Sequence, residues 1–479
     1  MRFSFVLVSM LASLFVGTVR AQSARFEMMV YLKSQPNFTR MGLVVERTQR
    51  MRAMYVDLVT NAQRTQSPLW QVLQQRGYQY QSFYINNSIL VRNADTQLAN
   101  ELQRHPSVLK VTYNTPFRMK PIGVLRDQPT PPAVNGVEQS LTVVKADKVW
   151  AMNVGGQGIV VAGQDTGVQW NHPALIRQYR GNTGRAVVHD YNWHDAIKKQ
   201  TAAGASNRCG YDLKTPCDDN GHGTHTIATV AGSDGKSNHV GVAPAARWMA
   251  CRNMDAGVGT VSTYTECFEF FFAPYPYGGN PQKDGKPEYA PHVMNNSWGC
   301  PKEEGCQGDE FADVLKVMQT AGIMVVASAG NEGPGCASIG APPANHTELT
   351  FSVGATNNAM KIAGFSSRGP SALDKGVGPD IVAPGVNIRS AMPGGGYGSM
   401  SGTSMAGPHM VGVVALMWSA NKNYVGRVAE TANVLRRTAI PLTSNENCGG
   451  VAGSTIPNNT YGYGMVDALS AVQTVLKSR

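Results

Sequence analysis

The sequence predicts an α/β protein with a mainly parallel central sheet, preceded by a small α+β domain. From about residue 137 to the end, short apolar runs alternate with helical patterns. Three of these runs, Gly158–Gln164, His292–Asn296 and Ile323–Ser328, are unbroken rather than alternating. Unbroken runs are typical of strands buried on both faces, as in parallel sheets covered by helices. A chain of 479 residues also suits two or three domains.

The smaller domain is predicted from six segments between residues 26 and 113. They are a strand at Phe26–Leu32, a mostly helical stretch at Met41–Gln75 interrupted by Pro68, strands at Tyr78–Tyr84 and Ser88–Arg92 around an Asn-Asn turn, a helix at Asp95–Arg104 opened by an acidic cap, and a strand at Val108–Tyr113. The order β-α-β-β-α-β defines a split βαβ unit, the ferredoxin-like fold.

Two segments beside this domain are predicted to be processed. Residues 1–21 combine a basic Arg2, an apolar stretch and a small Ala21, the layout of a secretory signal peptide cut after Ala21. The alternative is an uncleaved membrane anchor, for which the apolar core is short. Residues 121–136 are Pro-rich and aperiodic, as in a linker or exposed processing segment. The expected order is therefore signal peptide, a domain at 22–120, this linker and a larger domain at 137–479, with no later membrane span.

The net charge of +10 suggests nucleic acid as a partner, but its location argues against one. Residues 22–130 carry 14 Lys and Arg against 6 Asp and Glu, whereas residues 131–479 carry 26 of each. The basic charge thus belongs to the N-terminal part, and the larger domain has no charge-based reason to bind a polyanion.

All eight cysteines lie in the larger domain, at positions 209, 217, 251, 267, 300, 306, 336 and 448. An even number behind a signal peptide favours disulfides, with up to four bridges and 105 possible pairings. Cys209–Cys217 and Cys300–Cys306 close short loops and are the first candidates. A zinc site is the alternative, although no pair has the C-x₂-C spacing.

Two of three short motifs supply a carboxylate and an imidazole. Asp165 lies in Asp-Thr-Gly after a predicted strand, a common turn that aspartic proteases also use, but those enzymes need a second such motif and the sequence has none. His222 lies in Asn-Gly-His-Gly-Thr-His before a helical stretch. A metal pair with His225 lacks further ligands and the Glu of H-E-x-x-H. The two glycines that flank His222 leave its ring uncrowded, which suits a proton carrier.

The third motif, Ser401 to His409, contains Ser404 and is followed by an apolar helix predicted at Met410–Trp418. A helix that is apolar on nearly all sides is expected to be buried. A serine at its N-terminus has its oxygen close to free backbone N–H groups. Taken alone, Ser404 is better explained as a helix N-cap.

Together the three motifs predict nucleophilic catalysis. A serine hydroxyl needs a base to take its proton, histidine serves near its ordinary pKa, and a carboxylate orients the imidazole. The order Asp165, His222, Ser404 differs from that of chymotrypsin-like enzymes and of α/β-hydrolases. Ser404 also lacks the G-x-S-x-G elbow, because Ala406 follows two residues later. Lipases and esterases of that class are therefore disfavoured.

These segments resemble the signature blocks of the subtilisin-like serine peptidases (family S8). The resemblance covers roughly residues 137–479 and includes four further landmarks, at Val240–Pro244, Phe365–Pro370, Pro379–Gly385 and Gly462–Ala468. The blocks HGTHT, MNNSWG and SAGNEGPGC are most similar to the bacillopeptidase F-like branch. The resemblance implies a three-layer subtilisin-like fold, a triad of Asp165, His222 and Ser404, and Asn331 as the oxyanion-hole amide.

The resemblance also implies a substrate groove. Ser297, Trp298 and Gly299 resemble the strand that pairs with an extended substrate, and Gly257, Val258 and Gly259 the opposing strand, while Trp298 is alternatively a core residue. The specificity pocket is expected around Ser328, Ala329 and Gly330. Backbone pairing implies an endopeptidase that acts on extended protein segments.

Residues 26–113 resemble the inhibitory, chaperone-like prodomain of the same family. We therefore expect an autoprocessed zymogen whose prodomain places its C-terminal tail in the groove and is cut between about residues 113 and 137. The chemistry needs no cofactor, and metal ligands are not identifiable. The loop Ser233–Val240 occupies a place where some relatives bind structural calcium, but its residues do not clearly match that site.

Three functional hypotheses follow from the sequence. The first is an active, secreted, monomeric serine endopeptidase, and the second is a catalytically inactive relative that serves as a binding protein. A degenerate copy is expected to lose a triad residue or the oxyanion asparagine, and all four are present. The third, a polyanion-binding protein, depends on charge that maps to the prodomain.

Overall fold

A computed structural model describes residues 24–38, 41, 46–118, 124–125, 136–201, 206–302 and 306–478. The predicted signal peptide and most of the predicted linker lie outside these residues. Within them, no helix combines the length and the apolar character that a membrane span requires.

The N-terminal domain has the predicted order of elements. They are β1 (Phe26–Leu32), α1 (Arg47–Gln75), β2 (Tyr80–Phe83), β3 (Ser88–Ala94), α2 (Thr96–Gln103) and β4 (Val108–Tyr113). The strands form an antiparallel sheet in the order β2-β3-β1-β4, which confirms the ferredoxin-like prediction. Asp95 caps α2 as expected, since its carboxylate accepts the N–H of Leu98 at 2.9 Å.

The expected interruption of the first helix at Pro68 is wrong, because α1 runs through it. A proline inside a helix loses one backbone hydrogen bond, at a cost of about 3 kcal/mol. Pro68 lies on the exposed side, and buried residues before and after it, such as Leu58 and Leu69, pack into the cores beneath. The packing of both halves therefore keeps the helix continuous.

The larger domain is built on a seven-stranded parallel sheet. The strands are β7 (Val160–Asp165), β8 (Trp193–Asp195), β9 (Arg247–Arg252), β12 (Val293–Asn296), β13 (Met324–Ser328), β14 (Phe351–Thr356) and β15 (Ile381–Pro384). Their order is β15-β14-β13-β12-β7-β9-β8. All six pairings are parallel, as predicted from the unbroken apolar runs.

Helices cover both faces of this sheet, so the domain has three layers. The main helices are α5 (His222–Ala231), α6 (Val261–Phe272), α8 (Ala312–Ala321), α9 (Thr403–Ala420), α10 (Val428–Thr438) and α11 (Ala468–Lys477), with short helices α3 (Gln139–Val143), α4 (Ala146–Trp150) and α7 (Pro281–Asp284). Val293 packs into the core formed with α5 and α9, whereas its neighbour Met294 packs into the core formed with α6 and α8. This alternation explains why the strands show no polar face.

The buried helix α9 is longer than predicted, since it begins at Thr403 instead of Met410. Every residue from Thr403 to Trp418 is buried, as its apolar sequence indicated. The remaining strands form two small three-stranded sheets and one two-stranded sheet. They are β5 (Phe117–Arg118), β6 (Val124–Leu125), β10 (Met254–Asp255), β11 (Val258–Gly259), β16 (Ile388–Met392), β17 (Gly396–Met400), β18 (Asn447–Cys448) and β19 (Val451–Ala452).

All eight cysteines are paired. The predicted bridges Cys209–Cys217 and Cys300–Cys306 are present, together with Cys251–Cys267 and Cys336–Cys448. Because no cysteine is free, none can serve as a thiolate ligand for the zinc site that was the alternative to disulfides.

Candidate active site

Asp165 and His222 meet at the carboxyl edge of the parallel sheet, and Ser404 lies on helix α9, which packs against α5. Asp165 is the last residue of β7, His222 is the first residue of α5, and Ser404 lies in the first turn of α9. All three are buried to nine-tenths or more. The interpretation of Ser404 as an N-cap is wrong, because Gly402 caps α9 and Ser404 lies inside the helix.

The glycines beside His222 have steric roles that the sequence interpretation did not identify. Gly221 adopts a left-handed φ of +108°, which disfavours any L side chain. A Cβ on Gly223 would lie only 2.1 Å from the carbonyl oxygen of Gly167. The two glycines therefore let α5 begin directly against the turn that follows Asp165.

The imidazole and the carboxylate form a buried pair. His222 Nδ1 lies 2.7 Å from Asp165 Oδ1 and 2.9 Å from Oδ2. Burial alone would lower the pKa of His222, but the charge and hydrogen bond of Asp165, with a further contribution from Asp218, raise it above the usual 6.5. A histidine held in this way presents Nε2 as the proton acceptor.

Asp218 holds the segment that carries His222, and the sequence interpretation missed it. Its buried carboxylate accepts the N–H groups of Gly221 at 2.7 Å and of Thr224 at 2.9 Å, as well as the hydroxyl of Thr166 at 2.9 Å. It thereby joins the turn after Asp165 to the start of α5. Burial raises the pKa of Asp218. An acid four residues before a candidate histidine was the available signal, but acids are common in loops.

Ser404 and the side chain of Asn331 both form hydrogen bonds at the start of α9. The Ser404 hydroxyl donates to the carbonyl of Ser297 at 3.2 Å. Asn331 Oδ1 accepts the backbone N–H of Thr403 at 2.9 Å and its hydroxyl at 2.8 Å. With the oxygen end of the amide held by two donors, Nδ2 is the end that can donate to a bound group.

Comparison with known proteins shows the family of the chain. The model of the subtilase family matches residues 156–464, a range that includes Asp165, His222, Asn331 and Ser404. The chain belongs to the subtilase family.

Two proteases similar to this chain share more than a third of the aligned residues with it. The chain is 38% identical over 416 residues to bacillopeptidase F of Bacillus subtilis (strain 168). The aligned residues cover 83% of this chain but only 26% of bacillopeptidase F. The chain is 35% identical over 257 residues to subtilisin Savinase of Lederbergia lenta, covering 53% of this chain and 79% of the relative. The chain thus spans about a quarter of the length of bacillopeptidase F. The identity over 83% of this chain supports the predicted branch.

In this subtilase, residues of the predicted specificity pocket and of one predicted groove strand form hydrogen bonds with the start of α9. The Ser328 hydroxyl donates to the carbonyl of Thr403 at 3.0 Å, and the Ser297 hydroxyl donates to the carbonyl of Ser404 at 3.0 Å. Ala329 is buried behind them, and Gly330 turns the chain with a φ of +104°. Contact of these residues with substrate stays a prediction.

The indole of Trp298 lies in the core, in agreement with the alternative interpretation of this residue. Its side chain is 4% exposed and stacks on Tyr264, with ring centroids 4.0 Å apart. Phe268 and Phe311 close the cluster at 6.2 and 5.6 Å. Gly299 comes next and packs against Ala341. Because the indole of Trp298 is buried and Gly299 has no side chain, any contact of these two residues with substrate involves their backbone.

The opposing strand is already paired with a segment of the same chain. Val258 and Gly259 form β11, which pairs antiparallel with Arg118 and Phe117 of β5. Gly257 precedes β11 with a φ of +85°. The strand β17, which ends at Met400 shortly before Ser404, pairs antiparallel with β6, residues 124–125. Residues that follow the N-terminal domain therefore pair with both β11 and β17.

The loop Ser233–Val240 does not fit a calcium ion. The Asp234 carboxylate accepts the N–H groups of Lys236 and Asn238 at 2.8 and 3.0 Å, and the Asn238 side-chain oxygen accepts from the Arg389 guanidinium at 2.9 Å. Donors within the protein thus occupy the oxygens that a hard cation would need. No group of three His, Cys, Asp or Glu suited to a metal occurs among the described residues.

Proposed function

We propose that this subtilase is a secreted serine endopeptidase that is made as a zymogen and hydrolyses peptide bonds in extended protein segments. The observation that carries the proposal is the buried Asp165–His222 pair, together with Ser404 in the first turn of α9 and the amide of Asn331 oriented by Thr403. The activity uses protein groups alone, so no cofactor enters the reaction.

The reaction proceeds through an acyl-enzyme. The Ser404 hydroxyl rotates away from the Ser297 carbonyl, neutral His222 takes its proton at Nε2, and the oxygen attacks the substrate carbonyl. Asn331 Nδ2 and the Ser404 N–H donate to the developing oxyanion. His222 then protonates the leaving amine, and water repeats the sequence to release the acid and restore Ser404. Asp165 keeps the imidazole in the required tautomer and stabilises its charged form.

The two strand pairings support the zymogen part of the proposal. An extended segment that lies on β11 and β17 occupies the positions that a protein substrate would take by β-augmentation. The segment includes Phe117–Arg118 on one side and residues 124–125 on the other. We therefore narrow the expected processing site to the peptide bonds between residues 118 and 124. N-terminal sequencing of the secreted protein tests this, and a new N-terminus outside that interval would contradict it.

Secretion is proposed from the signal-like residues 1–21 together with the disulfides. Four bridges with no free cysteine suit an oxidising compartment. Expression with the intact N-terminus and recovery of the protein outside the cell, beginning after Ala21 or later, is the expected result.

A fluorophosphonate probe tests the activity directly. We expect the probe to label the parent protein at Ser404, and we expect Ser404→Ala to be neither labelled nor processed. The matched control is Ser401→Ala, which removes a hydroxyl from the same motif; among the described residues, that hydroxyl is hydrogen-bonded to Asn387 alone. It should be labelled and processed like the parent. An unlabelled parent, or a Ser404→Ala protein processed at the normal rate, would leave the inactive binding protein as the better explanation.

A further inference from the structure

The hairpin that ends in β11 has an unusual turn. Met254 and Asp255 form β10, and only Ala256 and Gly257 connect it to Val258 and Gly259. Both turn residues have a positive φ, +48° for Ala256 and +85° for Gly257. Two-residue hairpins favour this geometry, but they favour Asn or Gly at the first position, because a Cβ is strained there. Something outside the hairpin must therefore stabilise Ala256.

The external contact is the carboxylate of Asp219. Its Oδ1 accepts the backbone N–H of Ala256 at 3.0 Å, and its Oδ2 lies 3.3 Å from Nη1 of Arg252. The side chain of Asp219 is completely buried, and so is that of Arg252. Two hydrogen bonds from the guanidinium to Asp195, at 3.0 and 3.2 Å, fix Arg252 at the end of β9. Asp219 thus joins the hairpin turn to the rigid sheet.

Asp219 also lies three residues before His222 and directly after Asp218. The two consecutive carboxylates accept hydrogen bonds from different segments. Asp218 accepts N–H groups at the start of α5, and Asp219 accepts the N–H of the hairpin turn. The carbonyl of the same Ala256 accepts a hydrogen bond from Arg118 at 3.0 Å, a residue of the segment that lies on β11. The position of the groove strand is thereby coupled to the segment that carries the histidine.

We propose that Asp219 is a positioning residue that holds the hairpin Met254–Gly259 where an extended substrate can pair with it. The inference rests on the proposed endopeptidase function and adds a residue that none of the sequence motifs contains. Asp219 touches neither the substrate nor the reacting atoms. It affects only those substrates that are long enough to reach β11.

The test compares Asp219→Ala with the parent on two substrates, a hexapeptide amide that extends along β11 and a single-residue acyl ester that does not. Loss of this buried hydrogen bond is expected to raise KM for the hexapeptide about tenfold, with kcat changed less than twofold. Hydrolysis of the ester should change less than twofold. The matched control Asp212→Ala removes a half-exposed acid from the neighbouring disulfide loop and should leave both substrates unaffected.

A second variant separates positioning from a general structural role. Ala256→Gly removes the strain at φ +48°, so the double variant Asp219→Ala/Ala256→Gly should recover most of the hexapeptide KM. Asp219→Asn, which keeps an acceptor for the Ala256 N–H, should lie between the parent and Asp219→Ala. Equal losses on both substrates, no loss on either, or no recovery in the double variant would each overturn the inference.

Amide hydrogen exchange gives a readout that does not depend on hydrolysis. The amides of residues 256–259 should exchange faster in Asp219→Ala and return towards the parent rate in the double variant. An inactive parent would refute the proposed function, and the exchange rates would still decide the role of Asp219. Unchanged exchange in Asp219→Ala would refute the inference even if the parent is active.

Discussion

The Thr403 hydroxyl is one of the two donors that orient the Asn331 amide, and this gives a quantitative prediction. Thr403 Oγ1 donates to Asn331 Oδ1 at 2.8 Å and also lies 3.2 Å from the carbonyl oxygen of Gly330. The side chain is fully buried, so water cannot replace it. Thr403→Val removes the hydroxyl and nearly preserves the volume. The backbone N–H of residue 403, at 2.9 Å, is then the remaining donor to Oδ1.

The expected loss follows from the number of donors. One neutral hydrogen bond contributes about 1 kcal/mol, and its removal weakens the preference for the orientation in which Nδ2 faces the oxyanion. If the full amount appears in the transition state, kcat falls about fivefold. The upper limit is the loss of the amide itself in Asn331→Leu, about 3–4 kcal/mol, a value that was obtained with a subtilisin and transfers to this chain through the family.

Steady-state kinetics on a peptide anilide should show a lower kcat with little change in KM, because the oxyanion exists only in the transition state. Thr403→Ser keeps the hydroxyl and serves as the control. In the Asn331→Leu background, Thr403→Val should have no further effect, because the group that it orients is gone. If Thr403→Val lowers kcat fivefold in that background as well, the hydroxyl acts through the start of α9 and the reasoning is refuted.

Two further predictions concern the base and the aromatic core. Because the Asp165 charge outweighs burial and raises the pKa of His222, kcat/KM should fall as the pH drops through a midpoint above 6.5, and a midpoint below 6.5 in the pH profile of the mature enzyme would contradict this. Trp298→Ala should lower the free energy of unfolding by about 3–5 kcal/mol, measured in a Ser404→Ala background that prevents self-digestion. Trp298→Phe should keep most of the contact with Tyr264, whereas unchanged stability with a raised KM would mean that the indole contacts substrate.

The parallel sheet could be predicted from the sequence because its strands carry a strong local signal. The apolar runs that end at Gln164, Asn296 and Ser328 correspond to β7, β12 and β13 within one or two residues. Pro68 shows the limit of such signals. Its local preference opposes a helix, but the packing of distant residues on both sides of it determines the result.

The contacts that complete the site could not be predicted, because they join residues that are distant in sequence. Asp219 reaches Ala256 across 37 positions, and neither residue belongs to a motif. Cys336 pairs with Cys448 across 112 positions, and spacing, which favoured the two short-loop bridges, gives no preference for this pairing. The hydrogen bonds from Thr403 to Asn331 depend on how α9 meets the strand ends, which only the folded chain defines.

Some residues of the site could be assigned from the sequence and others could not, and this difference has a topological cause. Parallel strands end at the same edge of a sheet, so residues that follow neighbouring strands come together there. Asp165 ends β7, Ser297 follows β12 and Ser328 ends β13, which are three adjacent strands. A residue that follows a recognisable strand can therefore be assigned to the site from sequence alone. Asp218 and Asp219 belong to the loop before α5, where no strand predicts their position, and they hold the predicted residues in place.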